Sequence, residues 1–166
     1  MDSNKDTPNI VELMNLYGND ILRMCLIYVK DYHLAEDITQ ETFIKVYQKL
    51  DTFKNKSNIK TWIISIAINN CKNALKKNSK EVVALEDINL KYNENFSKDE
   101  NIQLVSKEVS KLPYKYLQVV MLFYYQELSI KEISHILKVP QATVKTRLKR
   151  ARERLKISLK EEMFYE

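Results

Sequence analysis

Residues 128–156 read LSIKEISHILKVPQATVKTRLKRARERLK, and this stretch decides the fold of the chain. Ser129 and Glu132 stand in the S-x-x-E spacing of a capping box, with Leu128 and Ile133 at the staple positions, so a helix starts here. Lys138, Val139 and Pro140 stop it, because proline cannot continue a helix and the residue before it avoids helical angles. A second helix starts at about Gln141. Val144, Leu148, Ala151 and Leu155 recur on one stripe of that helix, which predicts burial. Thr146, Lys149 and Arg150 lie opposite, flanked by Thr143 and Lys145. Between Lys138 and Lys160 there are nine Lys/Arg and one acid, Glu153. A short turn between a capped helix and a basic amphipathic one is the geometry of a helix-turn-helix, whose second helix enters a DNA major groove.

Composition agrees with this. The net charge is +5 over 166 residues and the pI is about 9.0, which suits a polyanionic partner. Glycine occurs once and proline three times, too few for the turns of a β protein, so the chain is expected to be all-α. Cys25 and Cys71 each lie in an apolar stretch and are expected as buried, reduced thiols. His33 and His135 are isolated, and no metal-ligand cluster, catalytic pair or cofactor motif is seen. The N-terminal segment is polar, and the longest apolar run, Trp62 to Ile68, is too short to cross a membrane. A cytoplasmic protein with no membrane insertion and no small-molecule substrate is expected.

Three helices are predicted in the first half, at about Asn9 to Lys30, Leu34 to Leu50 and Ile59 to Lys77. Leu13, Leu16, Tyr17, Ile21, Met24 and Tyr28 share a broad face of the first. On the second, Ala35, Thr39, Thr42, Phe43, Val46 and Leu50 form the core side, while Asp37, Gln40, Glu41, Ile44 and Gln48 form the other. An isoleucine ringed by carboxylates and amides reads either as a contact with a basic protein or as a lone surface isoleucine. Phe53 to Lys80 holds seven lysines and no acid, a second basic patch. Its loop, Phe53 to Trp62, mixes lysine and small polar residues between aromatics and suits a phosphate backbone with unstacked bases. Trp62 itself is expected in the core. Asn69, Lys72, Asn73 and Lys76 follow at helical spacing as a polar face.

From Ser79 to Glu100 acids outnumber lysines six to three and periodicity stops, which reads as an acidic, mobile linker. Helical signal returns from Ile102 to Leu112, and a further helix, Tyr114 to Gln126, follows Pro113. The expected domains are therefore 8–78 and 101–160, joined by 79–100. Two DNA-facing modules on one tether would multiply their affinities through effective concentration.

These segments together resemble a known family, the extracytoplasmic-function (ECF) sigma factors of the sigma-70 class. LAEDITQETFIKVYQKL resembles that family's polymerase-binding helix, and FKNKSNIKTWIISIAINNCKNALKK its promoter-melting and −10-reading segment. LPYKYLQVVMLFYYQELSIKEISHILKVPQATVKTRLKRARERL resembles its −35-reading domain. The resemblance implies two small helical domains, sigma region 2 with three to four helices and sigma region 4 with four, and an activity of promoter recognition without chemistry of its own. It implies that Asp37, Gln40, Glu41, Ile44 and Gln48 meet the β′ clamp of core RNA polymerase, with the β flap as a further polymerase contact. It places Lys56, Ser57, Asn58 and Lys60 in a loop that captures a flipped base, with Asn69, Lys72, Asn73 and Lys76 along the −10 region. It assigns Gln141, Thr143, Lys145, Thr146, Lys149 and Arg150 to the −35 element of promoter DNA, and implies an anti-sigma factor as a partner. Ala142 stands where the family usually has glycine, and Lys145 where arginine is frequent. Lysine lacks the bidentate guanine contact of arginine. The competing reading is a stand-alone helix-turn-helix repressor or activator with an N-terminal dimerisation domain, which leaves the second basic patch and the carboxylate face without a role.

Overall fold

The computed structural model describes residues 8–78 and 100–164, and every regular element among them is helical. They fall into two compact units, within Met1–Glu86 and Asp87–Glu166. The stretch expected to be a linker lies outside the described residues except for Glu100.

In the first unit α1 spans Ile10–Val29, α2 Tyr32–Lys49 and α3 Ile59–Asn78, with a short 3-10 turn at Leu50–Thr52. Asn9 opens α1 with a capping box: its side chain accepts the Val11 N–H at 3.0 Å and Glu12 reaches back to its backbone. Lys30 closes the helix in the left-handed conformation, φ 56°, and its N–H bonds the Leu26 carbonyl. Asp31 accepts from Leu34 N at 2.9 Å, so α2 starts within two residues and folds back on α1. The three helices pack pairwise on one another. Leu13, Ile21, Met24, Val46, Ile63 and Ile64 are fully buried between them. Each such side chain contributes about 1.5–3 kcal/mol relative to exposure. Leu16, expected on the buried face, is 68% exposed, while Cys25 and Val29 are buried in its stead. Cys25 and Cys71 are free thiols side by side in this core. The hydrogen bond between them, and then burial, pushes Cys71 up, so it stays a thiol.

One polar pair sits inside this apolar trio. Thr42 donates to the Ile38 carbonyl at 2.7 Å, and its oxygen accepts from Asn70 Nδ2 at 3.1 Å. Asn70 Oδ1 in turn accepts from Lys45 Nζ. Both Thr42 and Asn70 are buried, and the bonds offset the cost of removing them from water.

In the second unit α4 spans Glu100–Ser110, α5 Tyr114–Val120, α6 Ile130–Leu137 and α7 Gln141–Phe164. The expected helix Tyr114 to Gln126 is divided: after Val120 the chain winds into a π turn, Met121–Tyr125, where Gln126 N bonds the Met121 carbonyl. Helix α7 packs on α4, α5 and α6. Leu117, Leu122, Ile133, Val144, Leu148 and Ala151 form the buried centre. Glu162 near the end of α7 lies 3.7 Å from Lys107 and 3.8 Å from Lys111, tying it to the α4 end.

Candidate nucleic-acid and protein interfaces

The turn between α6 and α7 shows why a helix-turn-helix forms here. Ser129 Oγ accepts the Glu132 N–H at 3.1 Å, and Glu132 Oε2 accepts the Ser129 N–H at 2.8 Å. Lys138 ends α6 in the left-handed region, φ 55°, a conformation that is costly for a side chain with a Cβ. Ser134 offsets this cost by donating to the Val139 carbonyl at 2.6 Å, while Val139 N bonds the Ser134 carbonyl. Pro140 then supplies its carbonyl to Thr143 and Val144, starting α7.

With Val144, Leu148 and Ala151 turned inward, Gln141, Lys145, Thr146, Lys149 and Arg150 are exposed and Thr143 is half-buried. Thr146 donates its hydroxyl to the Ala142 carbonyl at 3.0 Å, so that oxygen faces a partner as an acceptor. Beside these residues lies an open groove of about 310 Å³, lined by Lys115, Tyr116, Thr143, Thr146, Arg147 and Arg150. Lys115, Tyr116 and Arg147 were not foreseen from the sequence. Lys115 and Tyr116 come from α5, outside the helix-turn-helix, and no local spacing links them to α7. Tyr116 is 4% exposed. Lys115 Nζ lies 5.1 Å and Arg154 Cζ 5.2 Å from its ring centroid. Burial raises the pKa of its hydroxyl, but the hydrogen bond from Arg150, with the charges of Lys115, Arg150 and Arg154, brings the net shift downward. Arg150 thus shares the α5–α7 groove with Tyr116 and two further cations, Lys115 and Arg147.

In the first unit, α2 presents Asp37, Gln40, Glu41, Ile44 and Gln48 together on its solvent side. Ile44 is 57% exposed. Tyr47, one turn on, is exposed too and was not singled out, because it stands between the core side and the outer side of the wheel. Glu41 pairs with Lys45 at 2.8 Å, and through Lys45 the outer face connects to Asn70 in α3.

The loop before α3 brings Lys56, Ser57 and Asn58 to the surface. Asn55 takes the left-handed conformation, φ 52°, which asparagine tolerates better than most residues. Asn58 is partly committed, since its Oδ1 accepts the Lys60 N–H at 2.8 Å. Lys60 Nζ is 2.9 Å from Asp20 Oδ2 of α1. Trp62 is half-buried rather than a core residue, and its ring stacks on Phe53 at 4.8 Å, joining the two ends of the loop. Along α3, Asn69, Lys72, Asn73 and Lys76 are all exposed, whereas the adjacent Asn70 points inward. No group of His, Cys, Asp and Glu among the described residues is arranged to hold a metal. No described helix is long and apolar enough to cross a membrane.

Comparison with known proteins covers both units. Residues 13–81 match the family model described as Sigma-70 region 2, and residues 102–155 match that described as Sigma-70, region 4. The chain is 37% identical over 152 residues to the ECF RNA polymerase sigma factor SigM of Bacillus subtilis (strain 168), covering 89% of this chain and 93% of the relative. It is 31% identical over 172 residues to the ECF RNA polymerase sigma factor SigW of the same strain, covering 94% and 91%. In fold it resembles the sigma factor RpoE solved with the anti-sigma factor NepR from Bartonella quintana. That likeness has a TM-score of 0.74 at 23% identity and covers 90% of this chain and 96% of that one. It also resembles CnrH, solved with the cytosolic domain of CnrY, with a TM-score of 0.65 at 18% identity and 91% and 87% covered.

Proposed function

The chain belongs to the ECF RNA polymerase sigma factors, and from that premise we propose which of its surfaces meets each partner. As a sigma factor it binds core RNA polymerase and directs promoter recognition and transcription initiation. It has no chemistry of its own; it lends sequence recognition and strand opening to the polymerase, in the cytoplasm where both partners are.

Asp37, Gln40, Glu41, Ile44 and Gln48 meet the β′ clamp. What supports this is one exposed apolar side chain ringed by carboxylates and amides on the solvent side of α2, a pattern suited to a basic helix. Lys56, Ser57, Asn58 and Lys60 capture an unpaired base, and Asn69, Lys72, Asn73 and Lys76 hold the adjoining −10 backbone. Their place on one acid-free segment, where all but the half-buried Lys60 are exposed, supports this. Opening a step costs a few kcal/mol of stacking, which a shaped pocket returns for one base only. Gln141, Thr143, Lys145, Thr146, Lys149 and Arg150 read the −35 element, and the groove between α5 and α7 adds Lys115 and Arg147 as phosphate contacts.

On the second unit an apolar groove of about 630 Å³ runs over Val105, Val109, Val120 and Leu159, with Arg152 and Lys156 on its rim. We assign it to the β flap, since an apolar floor with a cationic edge suits an amphipathic segment. An anti-sigma factor that masks these surfaces is the regulator we propose. The solved structure of similar fold in which the sigma factor RpoE is in complex with the anti-sigma factor NepR supports it.

The observation that carries the whole reading is the pairing of a helix-turn-helix with an exposed basic face in one unit with an acid-free basic loop and a carboxylate face in the other. To test it, the pure protein is mixed with bacterial core polymerase and genomic promoter fragments, and run-off transcripts are sequenced. Fixed start sites that require both components are expected. Tight duplex binding by the protein alone, with no polymerase dependence, would overturn the reading.

A further inference from the structure

Lys60 is the second residue of α3 and the last of the loop residues assigned above to the unpaired strand. Its ammonium already has a partner, the carboxylate of Asp20 on α1 at 2.9 Å. The side chains are 33% and 38% exposed, so water screens the pair. Such a pair adds at most about 1 kcal/mol to stability. Its consequence for DNA is larger than its consequence for the fold. The segment Phe53 to Lys80 contains no acid, so the negative charge beside Lys60 is brought in by the packing of α1 on α3. A phosphate that approaches Lys60 has to displace this carboxylate.

The rest of the loop is held while this exchange takes place. Asn58 fixes the Lys60 N–H at 2.8 Å, and the Phe53–Trp62 stack at 4.8 Å joins the loop ends. The root of Lys60 is therefore anchored, and its four-carbon stem lets the ammonium swing. We propose that Asp20 is a specificity-determining residue for strand capture. It occupies Lys60 in the free protein and yields it only to a strand that the other loop residues already hold in place. A loosely bound strand of any sequence then gains nothing from Lys60, while a correctly seated one gains a phosphate contact. The proposal rests on the assignment of this loop to the unpaired strand.

The test uses holoenzyme and two forked probes, one with the promoter strand and one with oligothymidine in its place, each titrated across a range of salt. Asp20→Asn should tighten the oligothymidine probe about fivefold at 0.1 M salt and steepen its salt dependence by about 0.7, the value of one added single-strand phosphate contact. The promoter probe should change less, so discrimination falls. Asp20→Ser, smaller and neutral, should behave alike if the lost charge is the cause. Adding Lys60→Ala to Asp20→Asn should erase the gain. An equal gain on both probes, no gain with either variant, or a gain that survives Lys60→Ala overturns the proposal. Lys56→Ala separates the two levels. If it leaves both probes unchanged, the loop assignment itself fails. If it weakens them while Asp20→Asn matches wild type, only the role of Asp20 fails.

Discussion

Arg150 is exposed on α7 and lines the α5–α7 groove together with Lys115, Tyr116 and Thr146. A planar guanidinium presents its donors in a fixed fork that can bond a base edge or phosphate at two points, and that favours recognition. Arg150→Ala should therefore weaken promoter binding by holoenzyme by about 1–3 kcal/mol, roughly 5- to 150-fold. A titration against one promoter at fixed salt checks this, and equal transcription at limiting protein would remove Arg150 from the interface. Arg150 itself was legible from the sequence, because the stripe Val144–Leu148–Ala151 fixes which side of α7 is free. Tyr116 was not, since the two helices meet only in the fold. The same holds for Asn70. Its neighbours Asn69 and Asn73 face solvent, and only the meeting of Thr42 with α3 turns this asparagine into a buried partner.

Element boundaries follow the caps closely. Asn9, Asp31 and Ser129 each satisfy a backbone N–H at a helix start, and each is a residue type that favours that position. Ser129→Ala leaves the Glu132 N–H without its acceptor and should cost the second unit about 1 kcal/mol. For a unit of this size that lowers the melting temperature by about 4–8 °C, measurable by circular dichroism on the full chain. An unchanged melt would show that the capping box is dispensable. Where packing sets the geometry, the sequence says less. The π turn at Met121–Tyr125 uses residues that could equally continue an α-helix, and no proline or glycine marks it. Leu16 belongs to the broad apolar face predicted for α1, yet it lies at the edge of that face, away from the line through Ile21, Met24 and Tyr28. The helix leaves it in solvent.

At the scale of the molecule, each unit has its own buried core, Ile21, Met24 and Ile63 in one and Leu117, Ile133 and Leu148 in the other. Neither set of proposed DNA contacts is large. The first unit offers a lysine-rich loop and one helix face, the second a single recognition helix and its groove. Sequence preference at the promoter then depends on covalent connection, because the second contact forms at the effective concentration set by the chain between the units. That connection is worth about 10²- to 10⁴-fold in avidity when both sites can be engaged together. Residues 1–86 and 87–166 supplied as separate fragments should each keep helical content and melt cooperatively. With core polymerase they should support run-off transcription only at concentrations about a hundredfold or more above the intact chain. If the pair works at the same concentration as the full protein, polymerase alone aligns the units and the covalent tether contributes nothing to promoter affinity. If the second fragment alone suffices, the −10 contacts assigned to the first unit are not used.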